Sequence, residues 1–390
     1  MRLRSALIAG LGSAVLAQPL CAQPYPSPLP EEAVPNVRTL PATYPASWII
    51  VHDFNFSAIV DGRGVVVDTS SPAEPLKGWV QVAQFGNILH ASSRSELYSA
   101  ETYYPRLSRG ERTDVITIWD KATLKAKGEI VLPGGKRQQT VTYKNTFQFT
   151  NGEAWALVSN FTPAQSVTVV DLEHRKVLGE IELPGCSLIY PTGERGFTTF
   201  CADGTMTSLV LDASGAVAKT STSKPLHDID NQPMFGMPAM IGRTAWFVTY
   251  RGQLRAIDLS GPAAREVGQA FAIGTAERAE PEWRPGGWQV IASGAGGHLY
   301  VLMNPAGREG SHKDGGTEVW VVDPAKKARI ARIPLQGVGM SIELTREAQP
   351  KLVVARGDGV IDVYDAVSGA FRHSLGARVA FNPQTLTAVE

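Results

Sequence analysis

"VITIWDKATLKAKGEIVLP", Val115–Pro133, and "VTVVDLEHRKVLGEIELP", Val167–Pro184, share one plan. An alternating apolar run ends in aspartate, a polar turn follows, and a second run leads away to proline. Alternation of period two marks a strand with one face buried. An aspartate at its end can accept backbone N–H groups of the next residues, which stops the strand and turns the chain. Each segment therefore reads as a hairpin. The plan recurs in "GVVVD" at Asp68, "SLVLD" at Asp212, "LRAID" at Asp258, "VWVVD" at Asp323 and "IDVYD" at Asp365. The markers fall about 40 to 65 residues apart, the spacing of propeller blades, and no run of helical period interrupts them.

A small sheet cannot bury both its faces alone, but sheets packed in a ring cover one another and protect nearly every edge. The expected fold is all-β, a seven-bladed β-propeller over residues 47–390. Ring closure needs a clasp. "SWIIVHD", Ser47–Asp53, and "ARVAFNP", Ala377–Pro383, lack a full blade of their own and are expected to share a sheet.

The chain has 390 residues, 43% hydrophobic and 19% charged, which suits a globular protein with a large core. Residues 1–22, "MRLRSALIAGLGSAVLAQPLCA", have a basic start, an apolar run too short for a membrane span and small residues at a cleavage position. They read as an export signal, which makes the protein periplasmic. Its removal takes Arg2 and Arg4 and leaves the remaining chain at about −2, no footprint for nucleic acid. Residues 23–46 are proline-rich and read as an extended leader or arm.

Export also decides the cysteines. Without Cys21, only Cys186 and Cys201 remain, in "GCSLIYPTGERGFTTFCADG". Strand, turn and strand would set them side by side, and an even pair in an exported protein is expected to form a disulfide.

A self-sufficient active site is not evident. The sequence contains no GxSxG elbow, HExxH, P-loop or GxGxxG entering a helix. Its seven histidines are scattered, so no metal site is expected. Two stretches invite a binding role. "YYPRLSRGERTDVITIWD" carries Arg106, Arg109 and Arg112, suited to ion pairs within the fold or to forked contacts with an acidic partner. "EPEWRPGGWQVIA" places Trp283, Arg284 and Trp288 around a Pro-Gly-Gly turn, and tryptophan and arginine are enriched where subunits meet. Trp283 and Arg284 are expected at an assembly interface and Trp288 inside.

"RLSRGERTDVITIWD", "GCSLIYP…FTTFCADG", "EWRPGGWQ" and "LYVLMNPAGREGSHK" together resemble the heavy subunit of periplasmic quinoprotein amine dehydrogenases. "LMNPAGREGSHK" and "YYPRLSRGERTDV" lean toward the aromatic (aralkyl) amine branch rather than the methylamine branch. The resemblance implies a heterotetramer of two heavy and two light subunits. It implies that the light subunit carries the tryptophan tryptophylquinone cofactor and the catalytic base, leaving no catalytic residue here. Primary amines would be deaminated oxidatively to aldehyde and ammonia, with electrons passing to a cupredoxin of the azurin or amicyanin type. It also implies an aromatic wall residue of the substrate channel just after the first strand. "WIIVHDFNFS" offers Phe56, then Phe54, for that place. A methylamine dehydrogenase heavy subunit and a non-redox periplasmic binding propeller are the competing readings.

Overall fold

The computed structural model describes residues 38–58, 60–273, 282–294, 296–376 and 379–389. The expected signal and most of the proline-rich segment lie outside the described residues. From Thr39 onward the chain forms one compact unit.

That unit is built from antiparallel sheets. The first contains Pro383–Ala388, Trp48–Asp53, Gly62–Asp68 and Leu76–Val82, in that order. Three more four-stranded sheets run through Asn87–Leu132, Phe147–Glu182 and Cys186–Thr222. A fifth is built on Ala239–Ile241, Thr244–Val248 and Gln253–Asp258 with two short outer strands. Inner strands are buried on both sides: every residue of Trp155–Asn160 and of Ser166–Asp171 is buried. The outermost strand, Lys176–Glu182, has one buried residue, the others being exposed or half-buried. Full burial of both faces is what neighbouring sheets impose on each other in a propeller.

The alternation predicts seven separate blades, and here the structure corrects it. Hydrogen bonding gives five sheets of blade size and one sheet of eight strands, from Arg284–Pro285 to Phe371–Ser374. The cause is Ala328–Leu344, a single strand of 17 residues. Its first half pairs with Gly316–Asp323 and its second half with Lys351–Arg356, so the segments ending at Asp323 and Asp365 are never separated.

The clasp joins the two ends of the chain, with Ile50 opposite Thr387 on one side and Val66 on the other. The C-terminal strand starts at Pro383, later than the expected Ala377–Pro383. Pro383 suits the first position of a strand because it has no N–H to give to the ladder.

All seven marker aspartates behave as their local chemistry requires. Each carboxylate accepts a backbone N–H two or three residues on: Ser70, Thr123, His174, Ser214, Ser260, Ala325 and Ser368 at 2.8–3.0 Å. Side-chain and backbone hydrogen bonds of these turns, acting against burial at Asp171, hold the Asp120, Asp171, Asp212, Asp258, Asp323 and Asp365 carboxyls below the usual range. Cys186 and Cys201 face each other in the strand register and form a disulfide. Tyr44, at the end of the proline-rich segment, is buried against Trp48, and its hydroxyl donates to the Lys121 carbonyl at 2.7 Å.

Candidate functional site

Antiparallel pairing sorts the loops. The aspartate turns all lie at one end of the sheets. The crossovers between sheets, and the connections from each second strand to its third, lie at the other. Phe54, Phe56, Arg106, Arg109, Arg112 and Arg284 therefore gather at one end, although the sequence spreads them over more than half the chain.

The connection after Trp48–Asp53 is clamped to the last crossover. The Asp53 carboxylate accepts from the N–H groups of Phe381 and Asn382 at 3.0 and 2.7 Å, and the Phe54 N–H donates to the Asn382 carbonyl at 3.0 Å. Phe54 is consequently 2% exposed, with its ring 4.7 Å from Phe56 and 5.0 Å from Phe85. Phe56 stands edge-on to it and is 53% exposed. The two phenylalanines have different tasks: Phe54 is a buried platform and Phe56 an apolar ring in solvent. Leu107, Phe161 and Phe381, at 78%, 59% and 57%, are also exposed at this end.

Below this platform lies a charge that sequence reading missed. Arg137 is buried, and its guanidinium donates to the carbonyls of Phe85 and Gln84 at 2.9 and 3.0 Å and to the Thr102 hydroxyl at 3.0 Å. Its own N–H donates to Asp114 at 2.9 Å. Burial lowers the Arg137 pKa to about 10, against the opposing pull of Asp114, and the group stays cationic near neutrality. Among the described residues, buried His52 Nε2 has no hydrogen-bond partner, and burial followed by the Arg137 charge lowers its pKa to about 4. A single arginine bonded to main-chain oxygens leaves no pattern in a sequence.

The three arginines of the polar run divide. Arg112 turns inward: its Nε donates to the Asp114 carboxylate at 2.9 Å and its Nη2 to the Arg137 carbonyl. Arg106 and Arg109 are exposed, and their backbones bond each other at 3.0 and 3.2 Å. That closes a turn with Leu107 at its tip, in the left-handed region at φ 60°. A cleft of about 460 Å³ opens beside it, lined by Val60, Gln84, Thr102, Tyr103 and Leu107 among others.

Trp283 is half-buried, 5.3 Å from Trp320, with the Arg332 guanidinium 4.6 Å over its ring. Arg284 pairs with Asn304 at the crossover end. Trp288 is half-buried, its ring tilted against Tyr143 with centroids 4.6 Å apart, and it donates to the Thr142 carbonyl at 2.9 Å. Gly287 explains the Pro-Gly-Gly turn. It has φ 136°, and a Cβ there would lie 2.5 Å from the Met340 carbonyl oxygen.

A second feature lies where the six sheets converge. A central cavity of about 410 Å³ is lined by residues of the innermost strands, including Ile88, Gln148, Tyr190, Ala239, Ile291 and Thr387. Among the described residues, no group of three His, Cys, Asp or Glu side chains could hold a metal ion. No helix among them is long and apolar enough to cross a membrane. The strand tryptophans donate within the fold, Trp119 to the Ser99 hydroxyl at 2.6 Å and Trp320 to Glu318 at 2.9 Å.

Comparison with known proteins adds a family. Residues 47–389 match the family described as methylamine dehydrogenase heavy chain (MADH). Proteins named methylamine dehydrogenase heavy chain are similar to this chain in Methylorubrum extorquens and Paracoccus versutus. Both are 30% identical, over 73% and 76% of this chain and 69% of each relative. The Methylobacillus flagellatus protein of that name is 26% identical over 75% of this chain and 74% of its own. Among solved structures, a putative 6-phosphogluconolactonase from Bacteroides fragilis superposes with TM-score 0.57 at 13% identity, covering 92% of this chain and all of its own. The dihydro-heme d1 dehydrogenase NirN superposes with TM-score 0.51 at 13% identity, covering 90% and 77%. Those two likenesses concern the fold alone.

Proposed function

Because the chain belongs to the methylamine dehydrogenase heavy chain family, we propose that it is the heavy subunit of a periplasmic amine dehydrogenase. It holds a light subunit against its crossover end. The light subunit carries a tryptophan tryptophylquinone, which, when present, takes the electrons and the amino group of a primary amine.

The single observation that carries the reading is the family match over residues 47–389. The exposed ring of Phe56 supports the placement of the partner. An apolar side chain held up on a buried platform suits a wall that excludes water and packs on an aryl group. Arg106, Arg109 and Leu107 on the neighbouring turn, together with Trp283 and Arg284, are assigned to contacts with the partner. Arg112, bound to Asp114, acts by fixing that turn. The substrate is an aralkylamine, and electrons leave to a cupredoxin. The aralkylamine preference rests on the motifs "LMNPAGREGSHK" and "YYPRLSRGERTDV". Known relatives bear the methylamine name, so methylamine is the competing substrate.

Purification from the periplasm tests the proposal. A small disulfide-rich subunit should co-purify, with a visible absorbance that phenylethylamine bleaches faster than methylamine does. A colourless chain without a partner would refute the heavy-subunit reading, and faster bleaching by methylamine would refute the substrate preference alone.

A further inference from the structure

The segment Ala83–Gly86 crosses from the outermost strand of the first sheet, Leu76–Val82, to the innermost strand of the second, Asn87–His90. Within it Phe85 sits in the left-handed region at φ 50°, a conformation that bulky side chains rarely adopt. Backbone of this kind persists only where its surroundings over-determine it, and it clusters at functional sites.

The surroundings here are two buried charges. Glu101 is fully buried, and its carboxylate accepts from the Ala83 N–H at 3.0 Å and from the hydroxyls of Ser99 and Tyr103. Buried Arg137 donates to the carbonyls of Phe85 and Gln84 at 2.9 and 3.0 Å. Arg137 is braced in turn: its Nε donates to the Thr102 hydroxyl, which donates to Asp114 at 2.7 Å. Polar groups of three successive residues are therefore tied to ionised side chains. A buried charge is costly unless its hydrogen bonds are made, and this turn makes use of two. The cleft of about 460 Å³ that Ala83 and Gln84 line would otherwise give the turn room to shift.

What the anchors hold is a ring. Phe85 is half-buried, its centroid 5.0 Å from that of Phe54 with the planes 36° apart. Phe54 meets the exposed ring of Phe56 edge-on at 4.7 Å. The Asp53 clamp fixes the chain around Phe54, and Phe85 limits where the Phe54 ring can lie. Aromatic pairs favour particular offsets and tilts, so a shift of Phe85 is passed through Phe54 to Phe56.

We infer that Phe85 is a positioning residue that determines amine specificity: anchored by Arg137 and Glu101, it sets through Phe54 where the Phe56 ring stands. The inference rests on the reading of Phe56 as a wall of the substrate channel and extends that wall's support to the crossover between the first two sheets.

The test is steady-state kinetics of the assembled enzyme with phenylethylamine and with methylamine. Phe85→Leu keeps an apolar side chain and removes the ring. It should lower the phenylethylamine-to-methylamine ratio of kcat/KM by at least about fivefold, because small misplacements of a positioning group are strongly felt. The change should appear as a raised KM for phenylethylamine rather than as a lowered kcat. Phe85→Tyr, which keeps the ring, should restore the ratio. A purely structural defect would lower kcat/KM for both amines alike, leave the ratio unaltered and overturn the inference. If Phe85→Leu does not assemble, Arg137→Lys keeps the charge but lacks the planar fork, and it should raise KM for phenylethylamine in the same way. Phe56→Ala in the same assay separates the two ideas. A ratio moved by Phe56→Ala, but not by the Phe85 or Arg137 variant, overturns the inference alone. A ratio moved by none of them overturns the channel-wall reading and the inference with it, as would a chain that has no light subunit.

Discussion

The Arg137 guanidinium donates to the Phe85 carbonyl at 2.9 Å across 52 positions of sequence. Phe85 in turn packs on Phe54, which carries Phe56. A buried charge on one crossover therefore sets the height of an exposed ring on a connection of the neighbouring sheet. Arg137→Met keeps much of the volume but leaves two part-buried carbonyls and a buried hydroxyl without their donor. Unmet buried groups cost about 1–3 kcal/mol each, so the variant should lose about 3 kcal/mol or more of stability in urea denaturation. A loss below about 1 kcal/mol would show that water replaces the guanidinium.

Phe54 and Phe56 should separate cleanly. Phe54→Ala removes a ring that is 2% exposed and should cost about 3–5 kcal/mol. Phe56→Ala should change folding stability by less than about 0.5 kcal/mol, as surface substitutions do, while weakening retention of the light subunit or raising KM for bulky amines. If Phe56→Ala leaves both partner retention and KM unaltered, the ring is not part of the channel wall.

His52 imposes a pH dependence whose sign can be worked out. Its pKa is about 4 in the folded protein and about 6.5 when unfolded. Between these values the unfolded chain binds the extra proton, so stability increases with pH across the window. The full contribution is present above pH 6.5 and is lost as pH falls toward 4. His52→Gln should flatten the stability profile between pH 4 and 6.5 relative to the unaltered protein. An identical slope in both would mean that His52 does not stay neutral in the fold.

The disulfide closes a segment 15 residues long. Replacing Cys186 and Cys201 together by serine should lower stability by about 3 kcal/mol, read as a shift of the urea midpoint in non-reducing buffer. The same variant should be insensitive to dithiothreitol.

Trp283→Ala gives up its tilted ring contact with Trp320 and its cation–π contact under Arg332, contacts of about 1 kcal/mol each. Its retention of the light subunit should fall by more than that loss of stability accounts for. Equal effects on folding and assembly would remove Trp283 from the interface.

Reading the sequence succeeded where the determinants are local. An aspartate two or three residues from the N–H it binds is visible in any hairpin, and all seven markers show that bond. The disulfide was legible too, because strand, turn and strand already set Cys186 opposite Cys201. Sheet count was not legible. Whether Ala328–Leu344 breaks or runs on depends on pairing with Gly316–Asp323 and Lys351–Arg356, and marker spacing does not encode it. Phe56 was named from resemblance, but its separation from Phe54 needed the Asp53 clamp. Arg137 was missed because the carbonyls it holds, those of Phe85 and Gln84, lie 52 and 53 positions away.

The pairing of Trp48–Asp53 with Pro383–Ala388 has a biosynthetic consequence. Until residues 383–388 emerge, the first sheet keeps an open inner edge, and the growing polypeptide has no finished ring to resist proteases. Without Pro383–Ala388 the inner edge of Trp48–Asp53 would stay unpaired, so removing that strand would cost far more than the loss of six exposed residues.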